Sequence, residues 1–149
     1  MNRSKNLSNN FIYQEECEMK TALFVLLVLC SFPYIMASIS SYFRHKQLGK
    51  IDNANPRQQY TQLQGAGARA VAAQQNAWEA LGVYTAALVA VTASGAVVEH
   101  LAESAIIVLI ARTLHGVFYL ADLDKLRTLS FAVATATCFY LLYSALSSL

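Results

Sequence analysis

The feature that most constrains this chain is the confinement of its charges. Most Asp, Glu, Lys and Arg residues fall before Thr21, between Arg44 and Arg69, or between Asp122 and Arg127. The stretches between are long and apolar, beginning with "MKTALFVLLVLC" at Met19 and continuing to Tyr42. A helix rises 1.5 Å per residue, so roughly twenty apolar residues cross a hydrocarbon core about 30 Å thick. Four stretches meet that length, over residues 21–42, 65–92, 97–121 and 126–146. Charged residues make up 13% of the chain, about half the roughly 25% of a soluble domain. The sequence therefore predicts an all-α protein, an integral membrane four-helix bundle with lipid as its first partner.

The remaining segments are read around those spans. Residues 1–19 are polar and end in the acidic patch "QEECEMK". They are expected to be a disordered N-terminal extension, upstream of a more natural start at Met19, with the transmembrane domain over 20–149. A cleaved signal peptide would have a shorter apolar core than the run to Tyr42, which favours an uncleaved first helix. Pro33 should kink that helix. The polar stretch from Phe43 to Pro56 reads as a loop. Lys and Arg concentrate after the first and third spans and are absent from the turn between the second and third. By the positive-inside rule those two basic segments face the cytoplasm and both termini lie outside. Cys17, Cys30 and Cys138 have no metal-binding or disulfide spacing. A net charge of +2 without a basic, aromatic-interleaved run excludes nucleic acid as a partner.

The second span raises a different question, because "RAVAAQQNAWEAL" carries Arg69, Asn76 and Glu79 in a segment otherwise suited to lipid. At 100° per residue, Arg69, Ala72, Asn76 and Glu79 fall within about 80° of one another. Arg112, His115 and Tyr119 cluster within about 60° on the third span. Counting inward from the basic ends, Asn76 and Arg112 both lie roughly 12–17 Å deep and Glu79 slightly deeper; a Glu79–Arg112 pair, which would leave neither charge alone, is expected. An intramembrane charge is unfavourable by about 2.5–3.5 kcal/mol, so it normally faces a partner or a cavity. Polar residues can also simply fasten helices together, at about 0.6–2 kcal/mol per hydrogen bond. Glu99, His100 and Glu103 read as interfacial, and the tyrosines near helix ends fit an aromatic belt.

These residues resemble the pattern of the MAPEG family, membrane-associated proteins of eicosanoid and glutathione metabolism. The pattern is an arginine, an asparagine seven residues on and a glutamate three further, here Arg69, Asn76 and Glu79. The stretch "ARTLHGVFYLADLDKLRTL" is similar to the family's second motif, and "NANPRQQ" resembles its bacterial branch. The resemblance covers residues 20–149. It implies a homotrimer in a bacterial inner membrane, with glutathione as co-substrate between subunits and open to the cytoplasm. Carried over residue by residue, Asn76 and Glu79 would hold the peptide's polar groups, with Arg112 in the same layer and Arg69 a further binding residue nearer the level of His115 and Tyr119. His115 and Tyr119 would line the pocket. Arg127 matches the arginine that stabilises the thiolate, and Thr128 would be a hydrogen-bond donor beside it. A thiol of pKa about 8.5 needs such a fixed cation to be a good nucleophile at neutral pH.

The chain departs from the family's best-studied synthases at several points: Ala72 stands where they carry an arginine, Phe131 where they carry a tyrosine and Thr128 where one has serine, and the spacing from Tyr119 to Arg127 is one residue shorter. The resemblance thus implies glutathione binding ahead of turnover. The activity it points to is a glutathione transferase or peroxidase acting on a lipophilic small molecule. The alternatives are a non-catalytic structural or binding member and, last, a small multidrug transporter, which would want an acid in the first span. Residues 21–42 contain none. A haem or quinone site is disfavoured because His100 and His115 lie at opposite ends of the third span.

Overall fold

The computed structural model describes the backbone of residues 2–149 and the side chains of residues 13–149. It comprises α1 (Asn2–Leu48), α2 (Pro56–Tyr60), α3 (Ala66–Ser94), α4 (Leu101–Leu120) and α5 (Asp124–Ser147). All but α2 are long and apolar enough to cross a membrane. The result is an all-α four-helix membrane bundle, as the apolar runs required. Helix α1 packs along α3, α4 packs along α5, and contact between α3 and α5 joins the two pairs.

The spans lie near their predicted places, but their ends differ for identifiable reasons. Helix α1 does not stop at Tyr42. It runs to Leu48 and ends where Gly49 takes a positive φ of 75° and donates its N–H to His45 O at 3.0 Å. Glycine is the residue that adopts this left-handed cap without strain. The extra turn is held by Arg44, and by Gln47, which exchanges two hydrogen bonds with the backbone of Gln64. His45 and Lys46 sit in the last turn, where cations suit the negative end of the helix dipole. The predicted loop up to Pro56 is therefore helical over its first six residues. No interruption of α1 at Pro33 is seen; the proline is buried inside a continuous helix.

Over residues 13–19, for which disorder was expected, α1 continues. Glu16 and Lys20 pair one turn apart at 3.3 Å, and Glu18 reaches across to accept the N–H of Leu101 at 2.9 Å. That carboxylate satisfies an unpaired donor at the start of α4. The rest of the expected extension, residues 1–12, lies outside the described side chains. Helix α4 begins four residues later than the apolar run predicted, after His100 in the left-handed region (φ 64°).

Two kinds of interior result. Toward the α3–α4 turn the core is apolar, with Val25, Leu29, Tyr84, Leu88, Val91, Val108 and Leu141 packed together. Small residues (Ala22, Ala87, Ala105, Ala145) let the helices approach closely, as association in lipid requires, since there it depends on packing rather than on water exclusion. Two polar groups are buried in this half: the Tyr84 hydroxyl, which donates to Ala22 O at 3.0 Å, and Ser104 in the first turn of α4. Toward the opposite end the buried side chains include Ser40, Arg44, Gln59, Arg112, His115 and Ser130.

Candidate functional site

Helix α4 organises the polar half. Arg112, only 5% exposed, faces α3 and donates from Nη2 to Asn76 Oδ1 at 2.6 Å and to Asn76 O at 3.0 Å. A guanidinium inside a membrane span requires such acceptors, and a charge-assisted bond to an amide oxygen provides them. One turn along the same face, His115 is 4% exposed and its Nδ1 lies 3.0 Å from Arg127 O, in the first turn of α5. Tyr119 is a further turn on. Its ring meets the His115 ring edge-to-face at 5.4 Å between centroids and lies beneath the Arg127 guanidinium at 4.5 Å. The ring of Phe131 closes the other side of His115 at 6.1 Å. Arg112, His115 and Tyr119 thus form one stripe, touching α3 at its deep end and α5 at its shallow end.

Not every residue predicted for the site joins this stripe. Glu79 is exposed and makes no ion pair with Arg112, because Asn76, three residues nearer the basic end on α3, has taken the guanidinium. The two residues instead line a cavity of about 200 Å³ whose other walls include Val83, Val108, Phe131 and Cys138. Arg69 lies away from the stripe. Its Nε and Nη2 both donate to Leu120 O at 3.3 Å, and its Nη1 pairs with Asp122 at 3.1 Å. There it caps the carbonyl end of α4, a position that favours a cation. The Thr128 hydroxyl is exposed and donates back to Asp124 O at 2.9 Å, so its proton is engaged within α5.

The structure adds a polar cluster that the sequence reading left in a loop. Arg44, 3% exposed, donates from Nε to Gln59 Oε1 at 2.8 Å and from Nη2 to Asp52 O at 2.6 Å. Gln59 also accepts the Asp52 N–H at 2.8 Å and donates to Lys50 O at 3.0 Å. The Arg44 cation lies 5.4 Å from the Tyr60 ring. This clasp folds the α1–α3 connection against the bundle's basic end. Gly67 completes the closure, since a Cβ there would come within 3.0 Å of Phe43 Cβ and of Gln47 Nε2. Within the clasp, the Asp52 carboxyl is held below its ordinary value, chiefly by the Asn55 side-chain amide and then by the N–H groups of Asn55 and Ala54. The one sequence signal for this cluster was the absence of a helix breaker between Tyr42 and Gly49.

Chemically, the arrangement offers cations to an anionic ligand. Among the described residues, Arg112 and Arg127 have no carboxylate within ion-pairing distance, and the half-buried Arg127 rests on an aromatic support. In comparison with known proteins, residues 21–147 match the model of the MAPEG family. No curated protein and no solved structure matches the chain.

Proposed function

The chain belongs to the MAPEG family, a glutathione-related membrane protein, and from that premise we propose that it binds glutathione and turns its thiolate on lipophilic electrophiles, as a transferase or peroxidase. The observation that carries this reading is the placement of Arg127. It sits in the first turn of α5, where the helix dipole disfavours a cation by about 0.3–1 kcal/mol, and it is stacked on Tyr119 without a carboxylate partner among the described residues. A cation without an ion-pair partner among the described residues suits an anion supplied from outside the chain. In conjugation the thiol proton passes to water and the sulfur lone pair forms the S–C bond. The leaving group departs with the displaced electron pair. On a hydroperoxide the same thiolate would attack oxygen and release an alcohol, and a second glutathione would close the disulfide and release water. Arg127 would stabilise the sulfur anion, while Arg112, Asn76 and Glu79 would hold the peptide's polar groups.

Two features support a homotrimer with the ligand between subunits. Glu79 lies exposed within a span, a position costing about 2.5–3.5 kcal/mol if it faced lipid. The cavity of about 200 Å³ beside it is smaller than the roughly 300–1,000 Å³ of ordinary ligand sites. A neighbouring copy would cover the one and enlarge the other. The basic end, carrying Lys46, Lys50, Arg57, Lys125 and Arg127, would face the cytoplasm of a bacterial inner membrane.

A second reading, a non-catalytic binding or structural member, draws on the Arg112–Asn76 bond, which satisfies the polar layer within one chain. Phe131 in place of a hydroxyl favours it too. Calorimetry with glutathione on the detergent-purified protein separates the two. Under the enzyme reading Arg127→Ala keeps the oligomer but lowers turnover by about a hundred- to a thousand-fold, the scale of losing one preorganised anion-stabilising group, and Glu79→Gln weakens binding. No binding by the parent protein at millimolar glutathione would leave only the structural reading.

A further inference from the structure

The packing of α4 against α5 points to one side chain acting through another: we propose that His115 is a positioning residue for Arg127, and that with Tyr119 it clamps that cation in the first turn of α5. The inference rests on the functional reading above only for the identity of the anion that Arg127 meets.

The backbone half of the clamp follows from hydrogen-bond chemistry. A carbonyl oxygen can only accept, so the 3.0 Å contact between His115 Nδ1 and Arg127 O places the ring proton on Nδ1. The same carbonyl accepts the Ser130 hydroxyl at 2.9 Å, and the Arg127 N–H donates to Leu123 O at 2.9 Å. Arg127 is thus fixed on both sides of its Cα, and one of these three anchors comes from another helix. In the first turn of a helix, where the chain otherwise frays, such an anchor matters most.

The side-chain half uses the next turn of α4. His115 and Tyr119 are four residues apart, so they lie one above the other on a helical face, and their rings support each other at 5.4 Å. Tyr119 then carries the guanidinium at 4.5 Å, within the range of a cation–π contact. His115 fixes where Arg127 starts and Tyr119 fixes where it points. The ring pays for this with its other nitrogen: Nε2 is buried and has no partner among the described residues. A side chain kept only for packing would not carry an unsatisfied nitrogen, since leucine or phenylalanine would fill the space without one.

The test uses the full-length protein in detergent and two readouts. The first needs no glutathione: the rate at which phenylglyoxal modifies Arg127, followed by peptide mass mapping. His115→Leu should raise that rate several-fold, whereas His115→Asn, whose amide can place a donor near the Nδ1 position, should restore it toward the parent value. His115→Gln, with its donor displaced toward Nε2, should not. Should His115→Leu fail to fold, Tyr119→Leu against Tyr119→Phe asks the same question of the other half, with only the leucine variant exposing Arg127. The second readout is the ionisation of bound glutathione, from the thiolate's ultraviolet absorbance against pH. His115→Leu should raise the thiol pKa by about one unit, a tenfold loss of thiolate, with rescue by asparagine. Equal phenylglyoxal rates in the parent and His115→Leu proteins would overturn the clamp. A changed labelling rate without glutathione binding by any variant would sink the functional reading and leave the clamp standing.

Discussion

The two halves of this bundle solve the same packing problem with opposite materials. Toward the α3–α4 turn, side chains such as Val25, Leu88 and Leu141 interlock in an apolar core, and that end of the bundle carries Glu15, Glu16, Glu18, Glu99 and Glu103. Toward the other end, Arg44, Arg112 and His115 are buried, a cavity opens beside Glu79, and the helix ends are rich in lysine and arginine. Four helices could have been held together by the first kind of interior throughout. The second kind brings cations and an unsatisfied nitrogen into a region where each is costly. The apolar half therefore accounts for the fold, and the polar half is where a ligand would act. The difference separates the interior that packs the bundle from the interior proposed to hold a ligand.

That division can be broken by substitution. In the apolar half, Leu141 is fully buried, and Leu141→Ala leaves a cavity that the surrounding helices cannot fill. The expected loss is about 2–5 kcal/mol, measured as a lowered unfolding midpoint in detergent, with glutathione affinity unchanged. A matching loss of affinity would show that the halves are coupled rather than divided. In the polar half, Asn76→Ala strips Arg112 of its side-chain acceptor and leaves a buried cation on one backbone carbonyl. The destabilisation should be smaller, about 1–3 kcal/mol, and should be accompanied by weaker glutathione binding. Combining Asn76→Ala with Arg112→Leu should recover much of the stability, because removing both partners avoids the unsatisfied charge, but none of the binding.

How far each half was legible in the sequence follows the same line. Apolar runs fix spans because lipid tolerates no alternative to a helix there, and α3 and α5 begin and end within two residues of their expected places. The polar stripes were legible as faces, because 100° per residue is enough to group Arg112 with His115 and Tyr119. Partner choice within a face was not legible. Asn76 and Glu79 are three residues apart on one side of α3, and only the register against α4 decides which of them meets Arg112. Arg69 shows the same limit, since it belongs to the motif yet caps Leu120 O and pairs with Asp122. The Arg44 clasp was hidden for another reason. Its acceptors are mostly backbone carbonyls and the Gln59 amide, which leave no charge pattern in the sequence.

The clasp also gives the smallest effect, and one that sharpens the contrast, because the only carboxylate it uses lies outside the spans. Asp52 accepts the N–H groups of Ala54 and Asn55 at 2.9 and 3.2 Å and the Asn55 amide at 3.3 Å. Those bonds favour the charged form and hold its pKa below the ordinary 3.8. The sign then follows from linkage. A carboxyl whose folded value is depressed contributes stability that is fully present above its unfolded value and is lost as pH falls through the folded one. At neutral pH the turn over residues 52–55 is therefore intact, and it should loosen only under acid conditions. The measurement is the pH titration of the Ala54 and Asn55 amide signals by NMR. A shared midpoint below 3.8 is expected, along with its disappearance in Asp52→Asn, while Arg44, anchored to the Asp52 carbonyl rather than the carboxylate, keeps α1 in place. A midpoint at or above 3.8 would mean that the turn does not hold the carboxylate. Loss of the α1 tail in the same titration would mean that the clasp depends on Asp52 ionisation after all, and that the basic end is one cooperative unit rather than a turn resting on a fixed arginine.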